Sequence, residues 1–123
     1  MGIFSRLFGG PSVEPTPVRT GAQFAELVLQ SELPVIVDVW SSTCPPCKKL
    51  WPELVAVATK HQDRVRVVEI STEADRALLM DLEVRATPTI IIFDQGEEVG
   101  RMTGFRPRSW FTQMLDTEFP KDA

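Results

Sequence analysis

The chain reads as an α/β fold with a mixed central β-sheet flanked by helices on both faces, and three observations predict it. Apolar, β-branched runs at Val35–Trp40, Val65–Ile70 and Thr89–Phe93 have the length and composition of buried strands. Segments with helical spacing of apolar residues alternate with them. A hairpin signal, Asp94-Gln95-Gly96, then sets an antiparallel partner after the third run, followed by one more helix.

Taken in order, Val18 marks a short edge strand. Thr20 with Gln23 forms a capping box, opening a helix that buries Phe24, Leu27 and Val28 and ends before Pro34. After the strand Val35–Trp40, Lys48–Lys60 reads as a helix, and Val65–Ile70 as the second strand. Thr72 with Asp75 caps a short helix running through Leu82. Thr89–Phe93 pairs through the turn with Glu98–Thr103. Pro107 takes the first position of the last helix, which exposes Arg108 and Gln113, buries Phe111, Met114 and Leu115, and stops before Pro120. There are no internal repeats.

A length of 123 residues supports one core. Composition divides the chain into a flexible N-terminal tail and linker over 1–17, a domain over 18–119 and a C-terminal tail over 120–123. Gly9-Gly10-Pro11 stops any helix, and Pro15 and Pro17 keep the following stretch extended. Ile3, Phe4, Leu7 and Phe8 would share one face of a short helix; a frayed tail is the primary reading, an interfacial membrane anchor or docking peptide the secondary one. Arg6 stands where N-myristoylation wants Ser or Thr. A net charge of −4 argues against a nucleic-acid partner. No stretch approaches the roughly 20 apolar residues of a membrane span, and Met1–Phe8 is no secretory signal. The expectation is a cytoplasmic monomer.

The chemistry concentrates in the only two cysteines, Cys44-Pro45-Pro46-Cys47. They lie where a strand hands over to a helix N-terminus, and there free N–H groups and the helix dipole stabilise a thiolate. The thiolate is the nucleophile of disulfide exchange. Two cysteines are too few for a disulfide scaffold. Tetrahedral zinc wants four ligands and His61 is the only histidine, so no metal is expected; a metal bridging two chains through paired Cys44 and Cys47 is a minor reading. His61 is assigned a surface role near a helix C-terminus. Trp51 and Trp110 are assigned to packing, and Glu97-Glu98 to a solvated hairpin tip.

From Thr20 to about Thr117 the sequence resembles the thioredoxin family. Asp38 and Trp40 precede the cysteines in Val-Asp-Val-Trp-Ser-Ser-Thr-Cys, Pro52 falls inside the following helix, and Arg85-Ala86-Thr87-Pro88-Thr89 matches the segment with the family's cis-proline. Gly96 and Gly104 match the hairpin and groove glycines. Three positions depart: Pro45-Pro46 replaces Gly-Pro, Thr43 replaces a tryptophan, and Glu69 stands where many members carry a lysine facing the buried Asp.

The resemblance implies the thioredoxin fold and a thiol–disulfide oxidoreductase that reduces client proteins, draws electrons from a separate reductase and needs no bound cofactor. Cys44, the more exposed thiol, attacks; Cys47 resolves the mixed disulfide. Trp40 lies under the site, and Pro45 and Pro46 stiffen the loop. Thr43, Pro45, Thr87, Pro88 and Gly104 line the client groove, where a cis Thr87–Pro88 bond turns the Thr87 backbone toward an added client strand. Asp38 and Glu69 share a pocket, hold one proton between them near neutral pH and relay it for Cys47. The alternative there is a Glu69 turned to solvent. The rival functions are a thioredoxin-like binding or co-chaperone module and a partner-specific oxidase or isomerase.

Overall fold

The computed structural model describes residues 11–121, in which five strands make one mixed sheet. In chain order the elements are β1 (Thr16–Pro17), α1 (Gly21–Phe24, continued by a π-helical turn Ala25–Leu29), β2 (Val35–Trp40), α2 (Pro45–Lys60), β3 (Arg66–Ser71), α3 (Arg76–Asp81), β4 (Thr89–Asp94), β5 (Glu97–Thr103) and α4 (Arg108–Glu118). The sheet order is β1-β3-β2-β4-β5. β2 runs parallel to β3 and antiparallel to β4, so it lies at the centre of the sheet.

Strand alternation divides the core into two layers. Val35, Val37 and Val39 of β2 pack with Val68, Ile70, Ile91 and Phe93 beneath Phe24 and Val28 of α1 and Leu78 of α3. Ile36 points the other way, packing with Val67, Ile90 and Ile92 against Leu50, Leu54 and Val57 of α2 and Phe111 and Leu115 of α4. Asp38 and Trp40 follow Ile36 on that second face, and this register carries a carboxyl into the layer under α2.

Several local expectations shift by a residue or more. Thr20 caps α1 by accepting from the Gln23 N–H at 3.1 Å, but Gln23 Oε1 reaches back to the Arg19 N–H instead of the Thr20 N–H. The cap of α3 is Asp75, not Thr72: its Oδ1 accepts from the Leu78 N–H at 3.1 Å, and its Oδ2 accepts from the Gly21 N–H, tying the starts of α1 and α3 together. Pro107 stands just outside α4, and Glu53 takes the freed Arg108 N–H at 2.8 Å along with the Arg108 guanidinium.

The stretch before Val18 is anchored, where a linker was expected. Val13 N–H donates to Thr59 Oγ1 at 2.8 Å, Pro15 is buried, and Thr16 and Pro17 pair with Val68 and Glu69. A proline fits an edge strand because the donor it lacks is not needed on the open side. The apolar stretch Met1–Phe8 lies outside the described residues. No helix of the described residues is long and apolar enough to cross a membrane.

His61, expected at the surface, is buried at the C-cap of α2, with Nε2 3.0 Å from Thr112 Oγ1. Burial, followed by the Arg64 charge, holds it below the ordinary histidine range.

At the hairpin, Gln95 (φ 52°) and Gly96 (φ 81°) form a two-residue turn with both residues left-handed. A Cβ at Gly96 would stand 2.9 Å from the Leu29 carbonyl oxygen. Gly96→Ala is therefore expected to lower stability by about 1–2 kcal/mol from backbone conformation alone, with the contact adding to it. Urea unfolding checks this; an unchanged midpoint would show that the turn relaxes freely. Beyond the turn, Gly100 pairs with Ile92 and Glu98 with Phe93, so Val99 bulges out of the ladder and is 56% exposed. Arg101, held by Glu98 at 2.8 Å, reaches across to the Leu82 carbonyl at 2.7 Å and closes the end of α3.

Candidate active site

β2 delivers the chain through Ser41, Ser42 and Thr43 to Cys44, the N-cap of α2. Pro45 and Pro46 take the first two helical positions, where an N–H would find no partner inside the helix and the proline ring suits the backbone. The first N–H that α2 can offer is thus that of Cys47, which donates to Cys44 Sγ at 3.2 Å. Cys44 and Cys47 are joined in a disulfide with Cα atoms 5.2 Å apart. The expected difference in exposure is slight, 6% for Cys44 against 4% for Cys47, because the bond folds the first sulfur back onto the helix start. Thr43 is exposed beside them, its Oγ1 3.4 Å from Ser41 Oγ.

Beneath the disulfide, Asp38, Trp40 and Cys47 line one pocket of about 280 Å³, together with Ser41, Ser42, Lys48 and Trp51. Asp38 is 1% exposed, and its Oδ1 has no hydrogen-bond partner among the described residues. Glu69 is its direct partner across the β2–β3 ladder. Glu69 does not turn away to solvent: it is half-buried and its Oε1 accepts from the Trp40 Nε1–H at 2.7 Å. Burial, and after it the Glu69 charge, raises the Asp38 carboxyl from its ordinary 3.8 to about 7.

The second wall comes from β4 and the end of β5. The Thr87–Pro88 bond is cis, and Pro88 is buried. Thr89, which follows, pairs with Val39 near the end of β2, so the proline arrives at the same end of the sheet as the cysteine loop. The Gly104 N–H donates to the Pro88 carbonyl at 2.9 Å. Gly104 has φ 91°, and a Cβ there would meet only Arg106, so its outer side is open. Among the described residues no hydrogen bond takes up the Thr87 backbone.

The sequence reading missed Trp51, Lys48 and the two serines. Trp51 was assigned to packing, yet it stands one helical turn beyond Cys47 and shares the Asp38 pocket. That i, i+4 spacing on α2 was the signal available. Lys49, also in the first turns of α2, lies 4.9 Å over the Phe105 ring next to Gly104.

Comparison with known proteins agrees with this geometry. The thioredoxin family pattern matches residues 15–117. Thioredoxin 1 of Synechococcus elongatus is 33% identical over 97 residues, 79% of this chain and 91% of that protein. A thioredoxin of Synechocystis is 33% identical over 101 residues, covering 82% and 94%. Among solved structures, a mutant thioredoxin of Halobacterium salinarum superposes with a TM-score of 0.76 at 23% identity, over 85% of this chain and 89% of that one, a likeness of fold. Since the family pattern spans nearly the whole described domain and the paired cysteines head α2 within it, this chain belongs to the thioredoxin family and is a thiol–disulfide oxidoreductase.

Proposed function

We propose that the chain works as a reductant of disulfides in client proteins, with Cys44 as the attacking thiol and Cys47 as the resolving one. The observation that carries the order is the Cys47 N–H donated to Cys44 Sγ at the head of α2, an arrangement that favours negative charge on Cys44. In the reduced protein the Cys44 thiolate attacks a client disulfide. One client sulfur leaves as a thiolate and the other is held in a mixed disulfide with Cys44. Cys47 then loses its proton to Asp38 and attacks Cys44 Sγ; the second client sulfur leaves, and the Cys44–Cys47 disulfide is formed. The two electrons come from the cysteine pair, so no bound cofactor is required. A separate reductase returns them, which makes the chain an electron carrier.

The client lies as a short extended strand against Thr87, whose backbone is unclaimed, between Pro88 and the open side of Gly104, with Thr43 and Pro45 on the opposite rim. Pro46 and Trp40 support the site from behind. The working form is a monomer in a reducing cytoplasm, and the segment Met1–Phe8 takes no part in turnover.

The test is reduction of insulin by the protein with a thioredoxin reductase and NADPH as the electron source, alongside equilibration of the cysteine pair with glutathione. Insulin reduction with the pair more reducing than glutathione is the expected result. No turnover would overturn the reading in favour of a binding or co-chaperone module, and a pair more oxidising than glutathione in favour of an oxidase or isomerase.

A further inference from the structure

Two features of the site exceed what disulfide exchange at Cys44 and Cys47 requires. The Trp40 indole is tied to a side chain of the neighbouring strand, and that side chain is a carboxylate set directly opposite the buried Asp38. An indole N–H only donates, so the 2.7 Å bond fixes Glu69 Oε1 as the acceptor and aims the Glu69 carboxylate into the layer that holds Asp38. The same Trp40 forms the pocket wall shared by Asp38 and Cys47.

We propose that Glu69 is a positioning residue for the resolving step: its bond to the Trp40 indole holds the pocket wall beside Cys47, and its carboxylate, set across the ladder from Asp38, governs the proton that Asp38 exchanges with Cys47. The inference rests on the reading of Asp38 as the base for Cys47. Among the described residues Asp38 has no hydrogen-bond partner for its Oδ1, so its proton is governed by burial and by the charges around the pocket. From β3 it is faced by Glu69, from α2 by Cys47 and Lys48, and from β4 by the apolar Ile90. Burial and the Glu69 charge are the two causes that raise the Asp38 carboxyl, and both act in the same direction. A lysine in place of Glu69 would ionise Asp38 at lower pH and leave a weaker base. Glu69 trades early ionisation for a stronger proton acceptor whose charge changes near neutrality.

The experiment follows the reduced full-length protein reacting with the disulfide of thionitrobenzoate by stopped flow. Attack by Cys44 releases the first coloured thiolate and resolution by Cys47 releases the second, so the two steps are read separately. Glu69→Gln keeps an acceptor for the indole and removes the charge. It is expected to move the midpoint of the second phase against pH downward by about half a pH unit or more, leaving the first phase in place. Glu69→Leu is expected to give the same move and also to change the Trp40 fluorescence. A carbon-13 titration of the Asp38 carboxyl in the oxidised protein supplies the equilibrium counterpart and does not depend on turnover. If Glu69→Gln leaves both midpoints unmoved while Asp38→Asn removes the neutral inflection, the role of Glu69 is overturned and that of Asp38 stands. If Asp38→Asn keeps the inflection, the base assignment fails and the Glu69 proposal fails with it.

Discussion

Cys44→Ser is expected to abolish disulfide reduction, and Cys47→Ser to leave the protein covalently attached to its client. The first loss is expected to be roughly a thousandfold or more, down to the background of free solution, since a serine hydroxyl offers no thiolate at neutral pH. The asymmetry follows from α2. Its first two residues are prolines, so the earliest N–H it presents belongs to Cys47 and points at the Cys44 sulfur. In Cys47→Ser that donor remains, Cys44 still attacks, and nothing breaks the resulting mixed disulfide. Non-reducing electrophoresis and intact mass after mixing with an oxidised client would show the adduct for Cys47→Ser and none for Cys44→Ser. Turnover by Cys44→Ser, or faster alkylation of Cys47 than of Cys44 at neutral pH, would reverse the assignment.

Asp38→Asn is expected to make the protein slower and, above neutral pH, more stable. Asp38 titrates at about 7 in the fold and near its ordinary 3.8 in the unfolded chain. Between those values the native state binds more protons than the unfolded state, so stability is greatest at the acid end and falls as pH rises toward 7. Above 7 the ionised carboxyl is buried, with no partner for its Oδ1 among the described residues, and the loss is complete. Asparagine does not titrate, so the stability of the variant relative to the parent should improve between pH 5 and pH 8 by on the order of 2–3 kcal/mol. Urea unfolding of the oxidised forms at both pH values measures it. A difference that stays constant with pH would show that Asp38 is not a buried, elevated acid. The simultaneous fall in turnover would mark a group retained for chemistry at the expense of the fold.

Much of this arrangement was legible in the sequence because it depends on local periodicity. Val35–Trp40 alternates so that Asp38 and Trp40 must share a face with Ile36, and Lys48–Lys60 reads as the helix that in fact begins three residues earlier, at Pro45. The features that were not legible depend on which distant group arrives. Thr72 and Asp75 both have capping chemistry, and the choice of Asp75 is made by its second contact, to the Gly21 N–H. His61 looks like a surface residue until α4 places Thr112 against it. Thr16 and Pro17 carry too little pattern to reveal a strand, and they become one only because β3 has a free edge. The Glu69 position was readable from register, but its bond to Trp40 was not, since a half-buried glutamate on a strand could equally have pointed its carboxylate outward.

The bulge at Val99 has a bearing on how such a molecule behaves in a crowd. An open sheet edge is an invitation to any passing extended chain. Here one margin of the sheet is the two-residue β1, ending in a proline, and the other is β5, whose ladder is broken where Val99 swings outward. Neither margin offers a long row of regularly spaced donors and acceptors on which a stranger could continue the sheet. A thiol–disulfide oxidoreductase built this way keeps both flanks of its sheet closed to passing strands, and among the described residues the Thr87 backbone, at the same end of the sheet as the cysteine loop, is left without a hydrogen bond.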